Sequence, residues 1–249
     1  MAGADLPIGP PAQLPGGLMA LFDHQRERSE MVSGDAATRA LSVTVVENDF
    51  VARVYEKLAN VYDLVFGPTL HPGRIDAIQK MKIQPGDSVL EVGVGTGINL
   101  SMYPASCAIT GIDLSAPMLD KAHERILNKG LRNCRVLEMD AAHMSFPDES
   151  FDIVYAPYLI SVVPDPVRVA QEMRRVYRRG GRIVILNHFK SENRILSRIE
   201  TAISPLTVHI GFKTDLDLNG FLTQSELTPV SIAKVNIPRM WTLVTCIKD

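Results

Sequence analysis

The sequence predicts an α/β fold with a mixed, seven-stranded sheet, helices on both faces and an antiparallel last strand. From residue 86 onward, apolar runs of strand length alternate with segments of helical spacing, the pattern of a parallel sheet covered by helices. Two strand-like runs follow each other near the C-terminus, which predicts an antiparallel strand at the end of the sheet. The chain has 249 residues, 46% of them hydrophobic, enough to bury the core of such a sheet.

The first 41 residues differ from the rest of the chain. They begin MAGADLPIGPPAQLPGG, which is rich in Pro and Gly and has no apolar period. We therefore expect a flexible arm over residues 1–41 and one domain over residues 42–249. Within residues 43–63, apolar side chains recur every three or four positions, which predicts a helix.

The alternating part is predicted to hold five strands and the helices between them. The strands are SVLEVG, CAITGIDLS, NCRVLEMD, SFDIVYAPY and RIVILNH. The helices are one that opens in GINLSMYP, APMLDKAHERILNKG, which ends at Gly130, and DPVRVAQEMRRVYRRGG, which Gly180 and Gly181 stop. After these, NRILSRIETAISP and LNGFLTQSEL predict helices, and PVSIAKVN and WTLVTCIKD predict two neighbouring strands.

Composition excludes several classes of function. A formal net charge of −2 argues against general binding to nucleic acid. The three cysteines have no CxxC spacing and suit reduced thiols in a cytoplasmic protein, and the six histidines show no metal-ligand spacing. We find no apolar run of about 18 residues and no secretory signal, so we expect any membrane contact to be peripheral.

A glycine-rich turn follows the first predicted strand, in VLEVGVGTGINL at residues 89–100. A dinucleotide fingerprint, G-x-G-x-x-G starting at Gly93, requires a glycine where this chain has Ile98. Glu91 beside the turn would also repel a pyrophosphate. The turn therefore favours a ligand with a ribose, a positive centre and no phosphate, as S-adenosylmethionine (SAM) has.

Acidic residues end the second and third predicted strands. Asp113 in GIDLS stands about 20 residues after Gly93, where an acid binds ribose hydroxyls in nucleotide-binding βαβ units. Asp140 would accept a hydrogen bond from the adenine amino group, with Met139 against the ring. We expect these side chains to meet at the carboxyl ends of the strands, where such sheets bind ligands.

The order E-x-G-x-G-x-G, IDLS and MDA resembles the class I SAM-dependent methyltransferases, from residue 84 to about residue 190. The resemblance implies a Rossmann-like fold and SAM as the cofactor. The family's cofactor motifs match Glu91, Gly93, Gly95, Asp113 and Asp140. We also predict that Tyr62, Leu114, Met139 and Ala141 bind the cofactor.

Other segments resemble the soluble-type bacterial phosphatidylethanolamine N-methyltransferases. They are YEKLANVYDLVFGPTLHPGR before the first strand, ISVVPDP after the fourth and NHF at the end of the fifth. The resemblance implies methylation of the phospholipid amine, with further steps to phosphatidylcholine left open. It also implies a helical region over the active site at residues 42–66, and a cytoplasmic protein at the inner face of the cytoplasmic membrane.

Amine methylation needs a proton acceptor but no metal, because the SAM methyl is already activated whereas an ammonium must lose a proton before it attacks. The candidates are Tyr55, Tyr62, Asp63 and His188, of which we predict Tyr55, Tyr62 and His188 to be catalytic. Tyr55 and Tyr62 lie seven residues apart, which also suits simple helix packing.

Three side chains are predicted to contact the substrate. Tyr158 and His188 follow the fourth and end the fifth strand, and a tyrosine face attracts a methylated amine by cation–π interaction. Arg74 is predicted to contact the lipid phosphate, with an ordinary surface position as the alternative.

Arginines are concentrated around the helix before the fifth strand: Arg168, Arg174, Arg175, Arg178, Arg179 and Arg182. Cations near a helix C-terminus are favoured by the helix dipole. The alternative is contact with anionic lipid head groups. The residues alone do not decide between the two.

Other functions remain open at this stage. A C- or O-methyltransferase of a quinone or small metabolite would use the same fold, and so would a SAM-binding module without catalysis. A nicotinamide oxidoreductase is disfavoured by Ile98. The sequence does not predict an oligomeric state.

Overall fold

A seven-stranded sheet organises the described part of the molecule. In this computed structural model the described residues are 70–190, 216–236 and 241–247, and all of them belong to one structural unit, Glu47–Asp249. The predicted arm, the predicted helices at 43–63 and 193–205, and the candidates Tyr55, Tyr62 and Asp63 lie outside the described residues.

The strands are β1 Ser88–Val92, β2 Ala108–Asp113, β3 Cys134–Glu138, β4 Phe151–Pro157, β5 Tyr177–His188, β6 Pro229–Val235 and β7 Trp241–Ile247. The helices are α1, described over 70–81, α2 Ala116–Lys129, α3 Pro166–Val176 and α4 Leu218–Gln224, with a 3₁₀-helix at Ile98–Met102. None of the helices in the described ranges is long and apolar enough to cross a membrane.

The sheet has the strand order β3-β2-β1-β4-β5-β7-β6. Strands β1 to β5 are parallel, and β7 is antiparallel to both of its neighbours. The predicted mixed sheet with an antiparallel last strand is therefore confirmed, although β7 lies one position in from the edge because β6 pairs beyond it. The strand order reverses between β1 and β4, and their carboxyl ends open the crevice in which such sheets bind ligands.

Alternate side chains of β1, β2, β4, β5 and β7 enter two cores. On one face, residues such as Val89 and Ile153 pack with α1 and α2. On the other face, Leu90 and Val154 pack with α3 and α4. Helices thus cover both faces, as predicted, because β1, β2, β4, β5 and β7 bury apolar side chains on both sides.

Helix boundaries follow the predictions in one case and depart from them in two. Helix α2 ends at Gly130, which takes a left-handed φ of 63°. The segment after the glycine turn forms only a five-residue 3₁₀-helix, because Asn99 and Tyr103 turn inward to a buried carboxylate. Helix α3 ends at Val176, before the two glycines, because residues 178–181 form a bulge of β5 opposite β4.

The arginine-rich region is held by internal ion pairs. Arg175 donates to Glu172 at 3.0 and 2.8 Å, to Asp148 at 2.8 Å, and to the carbonyls of Met144 and Phe146 at 2.7 Å. These contacts use Nε and both terminal nitrogens of the guanidinium. Arg175 thereby joins α3 to the segment that leads into β4.

The other arginines of the region also have partners. The pairs are Arg168 with Glu172, Arg174 with Glu226, Arg178 with Asp152, Arg179 with Glu149, and Arg182 with the carbonyls of Met81 and Lys82. Arg178 and Arg179, in the bulge of β5, lie where β4 begins, at the sheet edge opposite to the carboxyl ends of the strands. The pairing favours the structural interpretation of the cluster over lipid binding.

The buried Glu172 carboxylate makes a testable contribution to stability. We expect Glu172→Gln to lower the free energy of unfolding at pH 7 by about 2 kcal/mol, because it weakens charge-assisted hydrogen bonds to a largely buried group. Glu226→Gln is the matched control, since it affects an exposed pair and should change stability by less than about 1 kcal/mol. Urea unfolding measures both variants.

The effect of Glu172 should also depend on pH. Hydrogen bonds from Arg175 hold the pKa of Glu172 below its ordinary value of 4.5. Its stabilising effect is therefore complete above pH 4.5 and is lost as the pH falls through the folded-state pKa. An equal difference between wild type and Glu172→Gln at pH 7 and in acid would contradict this role.

Candidate active site

The glycine turn leaves β1 at its carboxyl end. Gly93, Gly95 and Gly97 all have left-handed φ values, of 75°, 53° and 75°, which glycine adopts without strain. A Cβ on Gly93 would lie 2.8 Å from Leu159 Cδ1, whereas a Cβ on Gly95 would meet nothing within 4 Å. The turn is therefore packed against Leu159 at Gly93, and the space beside Gly95 is open.

Asp113, at the end of β2, ties the turn to the sheet. Its Oδ2 accepts from the Gly95 amide at 2.8 Å, and its Oδ1 accepts from the Ser115 amide at 2.9 Å. Burial raises the pKa of Asp113, and the amide hydrogen bonds partly offset this effect. The predicted ribose acceptor therefore lies beside the glycine turn. Each of its carboxylate oxygens can accept a second hydrogen bond.

The ends of β2 and β3 continue the cleft with apolar and acidic groups. Leu114 is 44% exposed, and the Met139 amide donates to the Asp113 carbonyl at 3.0 Å. Asp140 accepts from the Ala142 amide at 2.8 Å through Oδ1. Exposed apolar surface between two carboxylates suits a flat heterocycle with polar edges and a ribose, so these residues fit an adenosine group.

Glu91 lies beneath the turn and is fully buried. Its Oε1 accepts from Asn99 Nδ2 at 2.7 Å, and its Oε2 accepts from the Tyr103 hydroxyl. Burial raises the pKa of Glu91 to about 7, although both hydrogen bonds and the charge of Arg74 lower it. The predicted cofactor residue therefore lies at the base of the site, with side-chain partners on both oxygens.

Arg74 and Tyr158 are in contact, which the sequence did not reveal. The Arg74 guanidinium carbon lies 4.9 Å from the Tyr158 ring centroid, and Arg74 Nη1 donates to Asn99 Oδ1 at 3.0 Å. Arg74 is only 7% exposed, so the alternative of an ordinary surface position is wrong. Tyr158 takes a φ of 58°, uncommon for an aromatic residue and of a kind that clusters at functional sites.

Tyr158, His188 and Trp241 form an aromatic corner at the carboxyl ends of β4 and β5. The Trp241 ring meets Tyr158 at 4.9 Å and His188 at 5.7 Å between centroids, both edge to face. Trp241 is brought there by register, since it pairs with His188 across β5 and β7. The structure thus brings two predicted substrate residues together and adds the only tryptophan of the chain.

The segments ISVVPDP and NHF are joined to each other beside this corner. Asn187 Oδ1 accepts from the amide and the hydroxyl of Ser161, at 3.3 and 3.2 Å, and both residues are fully buried. The hydrogen bonds connect the loop after β4 to the residue before His188. Two sequence features that looked separate therefore form one support for the aromatic corner.

Sequence reasoning missed Asn99, Tyr103, Asn236 and Trp241. Asn99 lies within the short 3₁₀-helix and Tyr103 directly follows it, and a polar residue inside that apolar segment was their only signal. Asn236 and Trp241 act through strand register, which local patterns do not predict.

Comparisons with known proteins agree with this geometry. Residues 90–185 match the family described as a methyltransferase domain. A phosphatidylethanolamine N-methyltransferase of Cereibacter sphaeroides is 42% identical over 186 residues, which cover 74% of this chain and 91% of that protein. A demethylmenaquinone methyltransferase of Listeria monocytogenes serotype 4a is 31% identical over 153 residues, 58% of this chain and 65% of that protein.

A solved structure supports the fold. A SAM-dependent methyltransferase from Aquifex aeolicus matches with a TM-score of 0.56 at 18% identity, over 79% of this chain and 97% of its own. The sheet order, the glycine turn and the family match lead to one conclusion: SAM is the cofactor, and the chain belongs to the class I SAM-dependent methyltransferases.

Proposed function

We propose that this methyltransferase acts on the amine of phosphatidylethanolamine. The observation that carries the proposal is the 42% identity to a phosphatidylethanolamine N-methyltransferase over 91% of that protein. The aromatic corner adds chemical support, because aromatic rings attract the cationic amines that form as methyl groups accumulate. Successive methylation to phosphatidylcholine is part of the proposal.

The cofactor residues have separate tasks in this proposal. When bound, SAM supplies a methyl group already activated by its sulfonium. Asp113 accepts from the ribose hydroxyls, and Asp140 accepts from the adenine amino group. Leu114 and Met139 cover the adenine ring, while Glu91 beneath the turn favours a cation above it when it is ionised.

The acceptor residues hold the amine and remove its proton. His188 ends β5 as a buried imidazole and takes the proton that the ammonium must lose before attack. Tyr158 and Trp241 form the wall that keeps the amine in line with the methyl group, where positioning contributes much of the rate. Tyr55 and Tyr62 remain predicted catalytic residues, and Tyr62 a predicted cofactor residue, all outside the described ranges.

Peripheral contact with an anionic membrane belongs to the same proposal. The paired arginines at the start of β4 do not favour it, because carboxylates neutralise them and they lie at the sheet edge away from the crevice. A lipid head group has to reach the carboxyl ends of β4 and β5. Membrane contact is therefore proposed at that edge of the sheet.

Methylation of a quinone is the second candidate, favoured by the 31% identity to a demethylmenaquinone methyltransferase. Its acceptor is a carbon or oxygen atom instead of an amine, so it requires no pocket that binds a cation. It predicts turnover on a reduced quinone precursor and no product on phosphatidylethanolamine.

An acceptor assay tests the proposal. The protein is incubated with methyl-labelled SAM and vesicles of phosphatidylethanolamine, and the lipids are separated by the number of methyl groups. We expect labelled mono-, di- and trimethylated lipid. Vesicles of phosphatidylcholine are the matched control, since their amine is fully methylated. Absence of labelled lipid from an enzyme that binds SAM would overturn the phospholipid proposal.

Asp113→Ala tests the cofactor site. We expect SAM affinity to fall by about tenfold or more, because hydrogen bonds to a charged acceptor are worth about 1.5–3 kcal/mol and the Gly95 amide also loses its partner. Calorimetry measures the dissociation constant. Asp120→Ala, at an exposed position of α2, is the control, and unchanged affinity in Asp113→Ala would contradict the assignment.

His188→Ala separates proton transfer from cofactor binding. We expect kcat to fall by about a hundredfold, the usual scale for loss of a general base, while the dissociation constant for SAM changes little. His123→Ala, exposed on α2, is the matched control. Parallel losses of kcat, SAM affinity and melting temperature would instead indicate a structural role for His188.

A further inference from the structure

Arg74 is a buried cation, and within the described ranges no carboxylate contacts it directly. Its Nη1 donates to Asn99 Oδ1 at 3.0 Å, and Asn99 Nδ2 donates to Glu91 Oε1 at 2.7 Å. The asparagine amide therefore bridges a guanidinium and a carboxylate. A buried charge is costly unless it is compensated, and here Glu91 supplies the opposite charge through that bridge.

The site has a cofactor half, with Glu91 and the glycine turn, and an acceptor half, which is the aromatic corner. The other side of Arg74 faces the acceptor half. Its guanidinium lies 4.9 Å from the centroid of the Tyr158 ring, where a cation is attracted by the π-system. The Tyr158 hydroxyl donates to the Leu70 carbonyl at 2.8 Å and accepts from Asn236 Nδ2 at 3.1 Å. Tyr158 is thereby fixed between α1 and the end of β6.

Helix α1 is shaped to allow this arrangement. The Gly73 amide donates to Asn236 Oδ1 at 2.5 Å, and a Cβ on Gly73 would lie 2.5 Å from the same oxygen. Any larger residue would therefore displace Asn236 from α1. The neighbouring residues Gly73 and Arg74 thus connect α1 to the C-terminal strands and to the glycine turn.

We infer that Arg74 is a positioning residue that couples the two halves of the active site, holding Glu91 of the cofactor half through Asn99 and the Tyr158 ring of the acceptor half directly. The inference rests on the proposed roles of Glu91 and Tyr158. It differs from a contact between Arg74 and a lipid phosphate, because it assigns the guanidinium an effect on cofactor binding in the absence of any lipid.

The coupling has an electrostatic consequence at Glu91. The described groups that act on it are Arg74 from α1, Tyr103 after the 3₁₀-helix, Tyr155 from β4 and Cys134 from β3. Of these, Arg74 carries the positive charge, which lowers the pKa of Glu91 against the effect of burial. Loss of that charge should raise the pKa of Glu91 above its value of about 7.

The test is the pH dependence of S-adenosylhomocysteine binding, measured by calorimetry between pH 6 and 8.5. Affinity should rise with pH through the ionisation of Glu91. In Arg74→Gln the midpoint of this rise in affinity should move to higher pH. The affinity of the variant for S-adenosylhomocysteine at pH 7.5 should be lower than that of the wild type by about threefold or more. Arg74→Lys retains the charge and should restore the midpoint.

The acceptor half gives the second readout. Lysine lacks the planar fork that stacks on a ring, so Arg74→Lys should keep normal cofactor affinity and still show a higher KM or lower kcat for phosphatidylethanolamine. Asn99→Ala is an independent variant that leaves Arg74 in place. It should shift the midpoint in the same direction as Arg74→Gln, because it removes a hydrogen bond that lowers the pKa of Glu91.

The outcomes separate the alternatives. A raised KM for phospholipid with an unchanged binding profile would overturn the inference and assign Arg74 to the lipid phosphate. If Arg74→Gln and Asn99→Ala lower the melting temperature but leave the midpoint of the binding profile unchanged, Arg74 has only a structural role, and the inference is overturned. Because the binding measurement contains no acceptor, it stands even if the protein does not methylate phosphatidylethanolamine.

Discussion

A fully buried carboxylate in an apolar strand is the constraint on which the active site depends. Glu91 lies inside the sheet at the base of the glycine turn, where an ionised group is unfavourable unless it is hydrogen-bonded and compensated. The 3₁₀-helix meets this need with Asn99 and Tyr103, and α1 contributes Arg74 through the same asparagine. The turn, the short helix and α1 are consequently held in one arrangement.

Charged side chains are arranged differently at the edge of the sheet where the parallel strands begin and at the carboxyl edge where they end. Where β4 begins, arginines and carboxylates pair with each other and join α3 to the strands. At the carboxyl edge, Asp113 accepts from backbone amides through both oxygens, and Asp140 accepts from the Ala142 amide and contacts His143 with its other oxygen. Each of these oxygens can accept a further hydrogen bond. The first edge is closed by its own ion pairs, and the second is organised for a ligand. This asymmetry follows from the parallel topology, which gathers the loops after each strand at one edge.

The fold accounts for the binding of SAM, the methyl donor, better than for the choice of the methyl acceptor. The predicted cofactor residues within the described ranges lie on β1, β2, β3 or the turns that follow them. The proposed acceptor wall instead consists of Tyr158, His188 and Trp241, from the loop after β4 and from β5 and β7. Relatives that methylate different acceptors, a phospholipid amine and a quinone by their names, therefore align with the same chain.

Local sequence by itself determined the order and type of the strands, the glycine turn and the acids that follow it. Strand length, β-branching and Gly130 act over a few residues, so neighbouring chemistry is enough to predict them. It misjudged the segment after the turn and the end of α3, because the bonds to Glu91 and the bulge opposite β4 come from distant residues. Only the tertiary structure decided that Arg74 is buried against Tyr158, that Trp241 meets His188, and that the arginines pair internally. Those contacts depend on strand register and on charges compensated across the fold, which no local pattern records.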